Sequence, residues 1–441
     1  MKNQVKIEEL IKPFKQKINI PSDKSLSIRC ILLASIAAGK SSIYNILESE
    51  DVENSLKAVK KIGVNYKKKK NCLQIFGVGI NGFSLKKNTT IYSGNSGTLA
   101  RCIVGLCSGI NKKIKLTGDH SLSKRDFSRV VKPLNLFGVK IKTKKGLMPL
   151  ELNGTNLLKP ISYFENKGSA QVKTCIILSA INTPGITKLK AKKSRNHTEL
   201  LCKYLKLPIN IKKNKNFDLI EIQKVSKIKP INYNIPSDIS SSAFFIVLTL
   251  LSKKSSLIIK NVNINPSRTG FISILNKMGA KITFKNKKIY NGEKIADIFV
   301  KSVNKLKAIK CPTKYNSSAI DEFLIIFIVA AKAKGISYFR NLSELNQKES
   351  PRLKIASEIL NMIGIKVFSN KNSIKIYGNP NLELNKNYII KNFLKDHRVF
   401  MMSVISALSL GGTWKIYNPE SVKTSFPSFL KIISKLGAKI N

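Results

Sequence analysis

The chain has 441 residues, 43% hydrophobic and 7% aromatic, enough for two or three domains with ordinary cores, which excludes a disordered polymer. Its 78 Lys and Arg against 25 Asp and Glu give a formal net charge of +53, which by itself suggests a nucleic-acid binder held by phosphate contacts. The lysines are scattered, no basic tail stands apart, and aromatic residues do not interleave with basic clusters, so the excess reads as a surface property that attracts small anions.

Cys30, Cys72, Cys102, Cys107, Cys175, Cys202 and Cys311 form no C-x-x-C, and with three histidines they offer no zinc pattern, so reduced thiols and no metal are expected. Met1 to Leu10 lacks an apolar core, so no signal peptide is read. The longest apolar runs, Phe323 to Ala331 and Ala243 to Leu251, fall well short of the roughly 20 residues of a bilayer span. No membrane partner is expected, and the location is read as cytoplasmic.

In chain order, Lys17-Ile18-Asn19-Ile20 alternates like a strand, Pro21 ends it, and Ser22 or Asp23 is placed to cap a helix. Leu26, Cys30, Leu33, Ala34 and Ala37 follow at helical spacing, with Gly39 as the expected stop. Lys24, Ser25 and Arg29 then surround a positive helix end, either as an anion site or as solvated surface cations. Ala34 to Ser41 (ASIAAGKS) fits a loose Walker A pattern, but its Gly-Lys-Ser ends a helix instead of opening one. Lys67 to Lys70 falls where a solvated loop is expected, and Gly77-Val78-Gly79-Ile80-Asn81-Gly82 reads as a turn between strands, since no helix pattern follows it.

Gly94-Asn95-Ser96-Gly97-Thr98, with Arg101 one turn on, lies between the strand Thr90-Ile91-Tyr92 and a helix from Leu99 to Cys107, as a ligand loop or a glycine-rich connector. Arg125 and Arg129, four apart, suit bidentate anion capture from one helix face or an exposed basic face. Ser169-Ala170-Gln171 opens an apolar helix with uncharged donors, and His197 follows Arg195. Asn234-Ile235-Pro236-Ser237-Asp238 then repeats the Asn19-to-Asp23 stretch about halfway along, so the chain reads as two halves. Further on, Asp321-Glu322 is a helix cap or a base in a cleft, Lys348-Glu349 with Arg352 sits within two expected helical turns, and Asp396-His397-Arg398 holds another of the histidines.

A second repeat, a helix end followed by Gly and an alternating strand, recurs at Gly63, Gly138, Gly279, Gly364 and Gly437, with Leu207-Pro208-Ile209 as a degenerate sixth copy. The copies stand roughly 70 to 85 residues apart, the size of a small αβ subdomain, three per half. Their helices open at Ser22, Gly94, Gly168, Pro236, Ser317 and Lys395, and six such N-termini around a cleft would suit a strongly anionic ligand.

Taken together, Lys24-Ser25 with Arg29, Asn95-Ser96-Gly97-Thr98 with Arg101, Leu122-Ser123-Lys124-Arg125, Ser169-Ala170-Gln171, Asn265-Pro266-Ser267-Arg268-Thr269-Gly270, Asp321-Glu322, Lys348-Glu349-Ser350, Asp396-His397-Arg398 and Thr424-Ser425-Phe426-Pro427 occur in the order found in the 5-enolpyruvylshikimate-3-phosphate synthases. The chain resembles that enolpyruvyl transferase family over nearly its whole length. The resemblance implies an α/β (α+β) fold of two domains, inverse α/β barrel-like, with six βαβαββ repeats, three per domain. Residues 22–235 would form one domain and 1–21 plus 236–441 the other, with crossovers near Pro21 and Pro236 and the active site in the cleft.

The implied reaction moves the enolpyruvyl (1-carboxyvinyl) group of phosphoenolpyruvate to the 5-hydroxyl of shikimate 3-phosphate with release of phosphate, in aromatic amino acid biosynthesis. Carried over by position, Lys24, Ser25, Arg29, Ser169, Ala170, Gln171, Arg195, Asp321 and Lys348 would meet shikimate 3-phosphate. Lys24, Asn95, Gly97, Arg125, Gln171, Arg352 and Arg398 would hold phosphoenolpyruvate. Asp321 is implied as the hydroxyl base, Lys24 and Glu349 as proton carriers at the methylene, and His397 as an assisting group. No cofactor or metal is implied, and a monomer is expected.

Several positions depart from the common pattern: Asn346-Gln347 before Lys348, Asp126 after Arg125, Thr424 in place of Lys, and Pro351, expected to distort the helix carrying Arg352. A sister enzyme acting on UDP-N-acetylglucosamine is the nearest alternative, disfavoured by Ser25 after Lys24 and by the Gly94 to Thr98 loop. A nucleic-acid binder would differ by salt-sensitive DNA retention without enzymatic activity.

Overall fold

The duplicated Asn-Ile-Pro-Ser-Asp stretch folds the same way twice. In the computed structural model, which describes residues 3–80 and 82–441, Asp23 accepts from Leu26 N (2.9 Å) and Asp238 from Ser240 N (2.8 Å), each capping a long helix. Four residues on, the Ser27 and Ser242 hydroxyls donate back to the Asp23 and Asp238 carbonyls at 2.8 and 3.0 Å. Met1, Lys2 and Asn81 lie outside the described residues, so the start of the expected 1–21 segment and one position of the Gly77 to Gly82 pattern do too.

The chain divides into two units, one of Ser22–Ile235 with Tyr290–Glu293, the other of Met1–Pro21, Pro236–Ile289 and Lys294–Asn441. The return turn Tyr290–Glu293 thus groups with the first unit, whereas the sequence reading kept it in the second. Each unit has its own apolar core.

In the first unit, three four-stranded sheets share one strand order. Asn232–Asn234 runs parallel to Ala38–Tyr44, followed by Cys72–Val78 and Asn65–Lys69, both antiparallel. Thr89–Tyr92, Lys113–Thr117, Leu147–Asn153 and Lys140–Lys144 repeat the order, as do Ser162–Glu165, Ile186–Lys192, Phe217–Gln223 and Ile209–Lys213. This is βαβαββ connectivity, and the first repeat borrows its opening strand from residues 232–234.

In the second unit, Lys15–Ile18 pairs in parallel with Ser256–Asn263, beside Glu293–Lys301 and Thr283–Tyr290. Gly335–Phe339, Ile374–Gly378 and Val367–Ser369 form the next sheet, whose opening strand is reduced to bridges at Lys307 and Lys310. The last joins Leu384–Ile390, Gly411–Tyr417 and Gln4–Ile7, and Lys6 exchanges backbone bonds of 2.8 and 3.0 Å with Asn441.

Helices Lys24–Ser35, Gly97–Leu106 and Ala170–Ala180 fill the interior of the first unit, and Ile239–Leu251, Phe323–Ala331 and His397–Leu410 that of the second. Apolar residues cover nearly their whole circumference, as burial on all sides requires. Gly105 permits the close approach of Gly97–Leu106 to Ala170–Ala180, since a Cβ there would stand 2.2 Å from the Cys175 carbonyl oxygen.

Glycines 63, 138, 279, 364 and 437 all have positive φ past a helix end. In the sixth copy that conformation falls on Lys206 (φ 55°), ahead of the expected Leu207-Pro208 register. Gly39 does not stop a helix: the helix ends at Ser35, and Gly39 (φ 113°) lies inside the strand Ala38–Tyr44, as do Lys40 and Ser41, so no phosphate loop forms. Lys67 to Lys69 lie in the exposed edge strand Asn65–Lys69 instead of a loop, where the lysine charges discourage edge association.

Asp23→Ala removes one cap and is expected to cost about 1 kcal/mol. Asp238→Ala also deprives the buried Arg268 of a partner at 3.1 Å and is expected to cost about 3 kcal/mol, both read as shifts of the urea midpoint.

Candidate functional site

The N-terminal ends of the interior helices gather two groups of polar side chains, one in each unit. In the first, Lys24 opens its helix and pairs with buried Asp51 at 2.8 Å, an acid that the helix-start pattern Ser49-Glu50-Asp51 conceals in the sequence. Arg29, almost wholly buried one turn on, donates through Nε to Thr198 (2.9 Å) and Thr174 (3.3 Å) and through Nη1 to the Ser25 carbonyl (2.9 Å).

Ser96 caps the helix Gly97–Leu106, so Gly97 is its first residue instead of part of the preceding loop. Arg101 donates to Gln171 Oε1 and to the Asp126 carbonyl, each at 2.9 Å, and lies over the Phe127 ring. Gln171 Nε2 in turn donates to Thr98 at 3.1 Å, which fastens two helix starts side by side. Burial, then the neighbouring Arg125 and Arg129, push Arg101 down to about 10, against the opposing pull of Asp126.

Arg125 does not share a helix face with Arg129. It stands in the link between helices His120–Ser123 and Ser128–Leu136, donating to Asn95 Oδ1, while Asn95 Nδ2 donates to Asp119 at 2.7 Å. Asp126 accepts from Ser128 N (2.7 Å) and Oγ (2.8 Å). Burial raises its pKa, but these bonds and the charges of Arg129 and Arg101 outweigh that and hold it low.

Ser169 caps Ala170–Ala180, and its own amide, with those of Lys167 and Gly168, donates to buried Glu165 at 2.8 to 3.0 Å. Burial keeps the Glu165 carboxyl above its usual range despite these donors. Arg195 is half-buried just before the helix His197–Tyr204.

The second group centres on Arg352. Its guanidinium, 1% exposed, meets Asp396 through Nε (2.8 Å) and Nη2 (3.1 Å), Glu349 through Nη2 (2.5 Å) and Asp321 through Nη1 (3.5 Å). Pro351 does not distort this helix: it is the N-cap of Arg352–Met362, where no amide hydrogen is needed. Lys348 and Glu349 precede the helix in the link from the 3-10 turn Ser343–Gln347 instead of lying on its turns.

No side-chain cap bond forms at Asp321-Glu322. Glu322 is the N-cap residue of Phe323–Ala331 without a side-chain cap bond, and it accepts from Ser240 Oγ, which also receives Arg268 Nη2 at 2.7 Å. Asp321 faces Lys348 Nζ at 3.2 Å, while its carbonyl accepts from Arg398 Nη1 at 2.8 Å. Asp396 caps His397–Leu410 through Arg398 N (2.9 Å) and accepts from Ser350 Oγ (2.8 Å). His397 Nδ1 lies 3.4 Å from Thr424 Oγ1.

Burial alone would raise the Asp396 carboxyl, but the charge and hydrogen bonds of Arg352 overcome it and hold it low; Arg352 is raised by the same acids against its own burial. Sequence reasoning missed the pairings of Asp51, Thr98, Asp119, Thr174 and Thr198, because none of these residues carries a local pattern distinct from an ordinary cap or core position. Among the described residues, no His, Cys, Asp and Glu cluster of three could hold a metal ion, and no helix is long and apolar enough to cross a membrane.

The enolpyruvyl transferase NikO from Streptomyces tendae superposes with a TM-score of 0.78 at 13% identity over 99% of this chain and 98% of its own, so the fold is that of an enolpyruvyl transferase. An EPSP synthase structure from Acinetobacter baumannii gives a TM-score of 0.86 at 35% identity, covering 99% of both chains. The 3-phosphoshikimate 1-carboxyvinyltransferase of Ruthia magnifica subsp. Calyptogena magnifica is 37% identical over 425 residues, 96% of each chain. That of Caldicellulosiruptor saccharolyticus is 37% identical over 434 residues, 97% of this chain and 98% of its own. The EPSP synthase (3-phosphoshikimate 1-carboxyvinyltransferase) family model matches residues 9–433, and the chain belongs to that family. It is a transferase of the enolpyruvyl group in the shikimate pathway of aromatic amino acid biosynthesis.

Asp396→Asn leaves the buried Arg352 with two of its three carboxylate partners and is expected to cost about 3 to 5 kcal/mol in urea unfolding. Because the folded pKa of Asp396 is lowered, its contribution is intact above the ordinary carboxylate range, near pH 4, and fades as pH falls below it. The Asn variant therefore shows a shallower loss of stability in acid than the unaltered chain.

Proposed function

We propose that this chain joins the enolpyruvyl group of phosphoenolpyruvate to the 5-hydroxyl of shikimate 3-phosphate, and that its two polar groups divide the work. The observation that carries the reading is the cluster of Arg101, Arg125 and Arg129 beside the helix starts of the first unit, held mostly by neutral acceptors and so fitted to a multiply charged anion; burial first, and then the other two charges, push Arg101 down to about 10. Lys24, Asn95, the Gly97 backbone, Arg125, Gln171, Arg352 and Arg398 are assigned to phosphoenolpyruvate. Lys24, Ser25, Arg29, Ser169, Ala170, Gln171, Arg195, Asp321 and Lys348 are assigned to shikimate 3-phosphate.

In the addition step the 5-hydroxyl oxygen bonds to C2 of phosphoenolpyruvate, its proton passes to Asp321, and C3 gains a proton from Lys24 or Glu349. In the elimination step C3 returns a proton, the C2–O bond to phosphate breaks, and inorganic phosphate leaves against the cations. Arg352, already flanked by Asp321, Glu349 and Asp396, sets the spacing of the three carboxylates while presenting its positive charge to the donor. His397 assists from the first residue of its helix. The proposal includes a cytoplasmic monomer that needs no cofactor.

Phosphate release is expected only when both substrates are present, and a folded protein that releases none overturns the proposal. Replacing shikimate 3-phosphate by UDP-N-acetylglucosamine is expected to abolish release. Lys24→Met and Glu349→Ala are each expected to lower kcat by about 10²- to 10⁴-fold.

Gly97→Ala places a Cβ 2.9 Å from Arg101 Nη1 and 3.2 Å from Arg125 Nη1. Its KM for phosphoenolpyruvate is expected to rise about tenfold, as a loss of roughly 1.4 kcal/mol of binding would give. Phosphonomethylglycine is expected to inhibit this variant less than the unaltered chain, measured as an inhibition constant.

A further inference from the structure

Three consecutive residues at the start of helix His197–Tyr204 are buried, and together they grip three elements: the strand opening at Glu293 and the helices Lys24–Ser35 and Ala170–Ala180. His197 Nδ1 lies 2.5 Å from Oε1 of Glu293, both side chains 1% exposed. Thr198 Oγ1 accepts from Arg29 Nε at 2.9 Å and touches Thr174 Oγ1 at 2.6 Å. Glu199 forms a buried pair with Lys173. Successive residues of a helix project about 100° apart, so this one turn is held on three sides. The two arginines assigned to the acceptor depend on it: Arg29 through Thr198, and Arg195 through the chain, two residues before His197.

Glu293 is supplied by the turn Tyr290–Glu293, which is itself fastened. Asn291 Nδ2 donates to Tyr204 Oη (2.8 Å), Tyr204 Oη donates to the Asn232 carbonyl (2.9 Å), and Asn234 Nδ2 donates to Tyr290 Oη (3.3 Å). Gly292, at φ 81°, passes close to Tyr204, and a Cβ there would stand 3.3 Å from that of Tyr204. A buried carboxylate–imidazole pair often adds no more to stability than apolar groups of the same shape would, while its bond is directional.

We propose that Glu293 is a positioning residue for the acceptor: acting through His197, it sets the turn that aims Arg29 and Arg195 at the phosphate group of shikimate 3-phosphate. The proposal rests on the function assigned above. It separates Glu293 from the donor group Arg125, which donates to Asn95 and Ser121.

The test compares the full chain with Glu293→Leu and Glu293→Gln, by calorimetric titration with shikimate 3-phosphate and by steady-state phosphate release. The Leu variant is expected to bind the acceptor about 10- to 100-fold more weakly, while the KM for phosphoenolpyruvate stays within about twofold. The Gln variant keeps an oxygen for Nδ1–H and is expected to recover most of that loss, to within about threefold of the unaltered chain. A folded Leu variant with unchanged acceptor affinity, or with equal losses for both substrates, overturns the proposal. If thermal unfolding shows that the Leu variant is not folded, the Gln variant decides: a weakening of acceptor binding by about two- to threefold with the KM for phosphoenolpyruvate unchanged supports the proposal, and acceptor binding identical to that of the unaltered chain overturns it. An unaltered chain that binds no shikimate 3-phosphate overturns the assigned function as well, whereas normal binding by all three proteins overturns only the role of Glu293.

Discussion

A helix buried around its whole circumference has only its ends to offer to chemistry. The six interior helices are in this position, and each begins with unpaired amides and a partial positive charge that polar side chains must complete. The cost of burying a polar group without a partner then dictates how those ends are built. Asp23, Ser96, Ser169, Asp238 and Asp396 are spent on capping, and Lys24, Ser25, Gly97, Ala170, Gln171 and Arg398, one or two positions further on, are among the residues proposed above to meet the substrates. Within each unit the starts are laced together, Gln171 to Thr98 in one and Ser240 to Glu322 in the other, so a side chain at one helix start is held by its neighbour's.

The same construction yields opposite electrostatics. In the first unit Arg29 is held by hydroxyls and a carbonyl, and Arg101 by an amide oxygen and a carbonyl, so both keep their net charge. Asp119 and Asp126 are partly occupied by Asn95 and by the amide of Ser128, which leaves the arginines in excess. In the second unit carboxylates surround Arg352, and the acids are held within reach of one another only because that cation lies among them. Like charges so close repel unless a counter-charge is present, and a buried guanidinium is suited to this because it does not lose its proton and offers a fork of donors. A surplus of cations suits an anion-binding function, and a set of balanced acids suits proton transfer.

The repeats carried the fold into the sequence because each rests on backbone geometry that few residues satisfy. The five glycines at positive φ and the duplicated Pro-Ser-Asp caps mark helix ends and starts directly. Where another residue took the strained position the register slipped, as at Lys206, and where glycine served a strand the helix was drawn too long, as at Gly39. Candidate site residues stood out where several polar types clustered in sequence. The partners of those residues did not: Asp51 to Lys24, Thr198 to Arg29 and Glu293 to His197 are contacts between distant segments, and no local pattern encodes which segments meet. Arg125 and Arg129 show the converse, since four-residue spacing implies a shared face only if one helix spans both.

The charge of +53 is explained by where the few acids are kept. Asp23, Asp51, Glu165, Glu199, Asp238, Glu293, Asp297, Glu322 and Asp396 are buried, each with a hydrogen-bond or charge partner. Lysines, by contrast, lie mostly on exposed strands and turns, where a substitution usually changes stability by less than about 0.5 kcal/mol. A drift in composition toward lysine therefore meets little resistance on the surface and strong resistance in the interior. The outcome is a very basic protein that keeps nine of its 25 carboxylates buried and partnered, so its net charge reports on its surface and says little about the site.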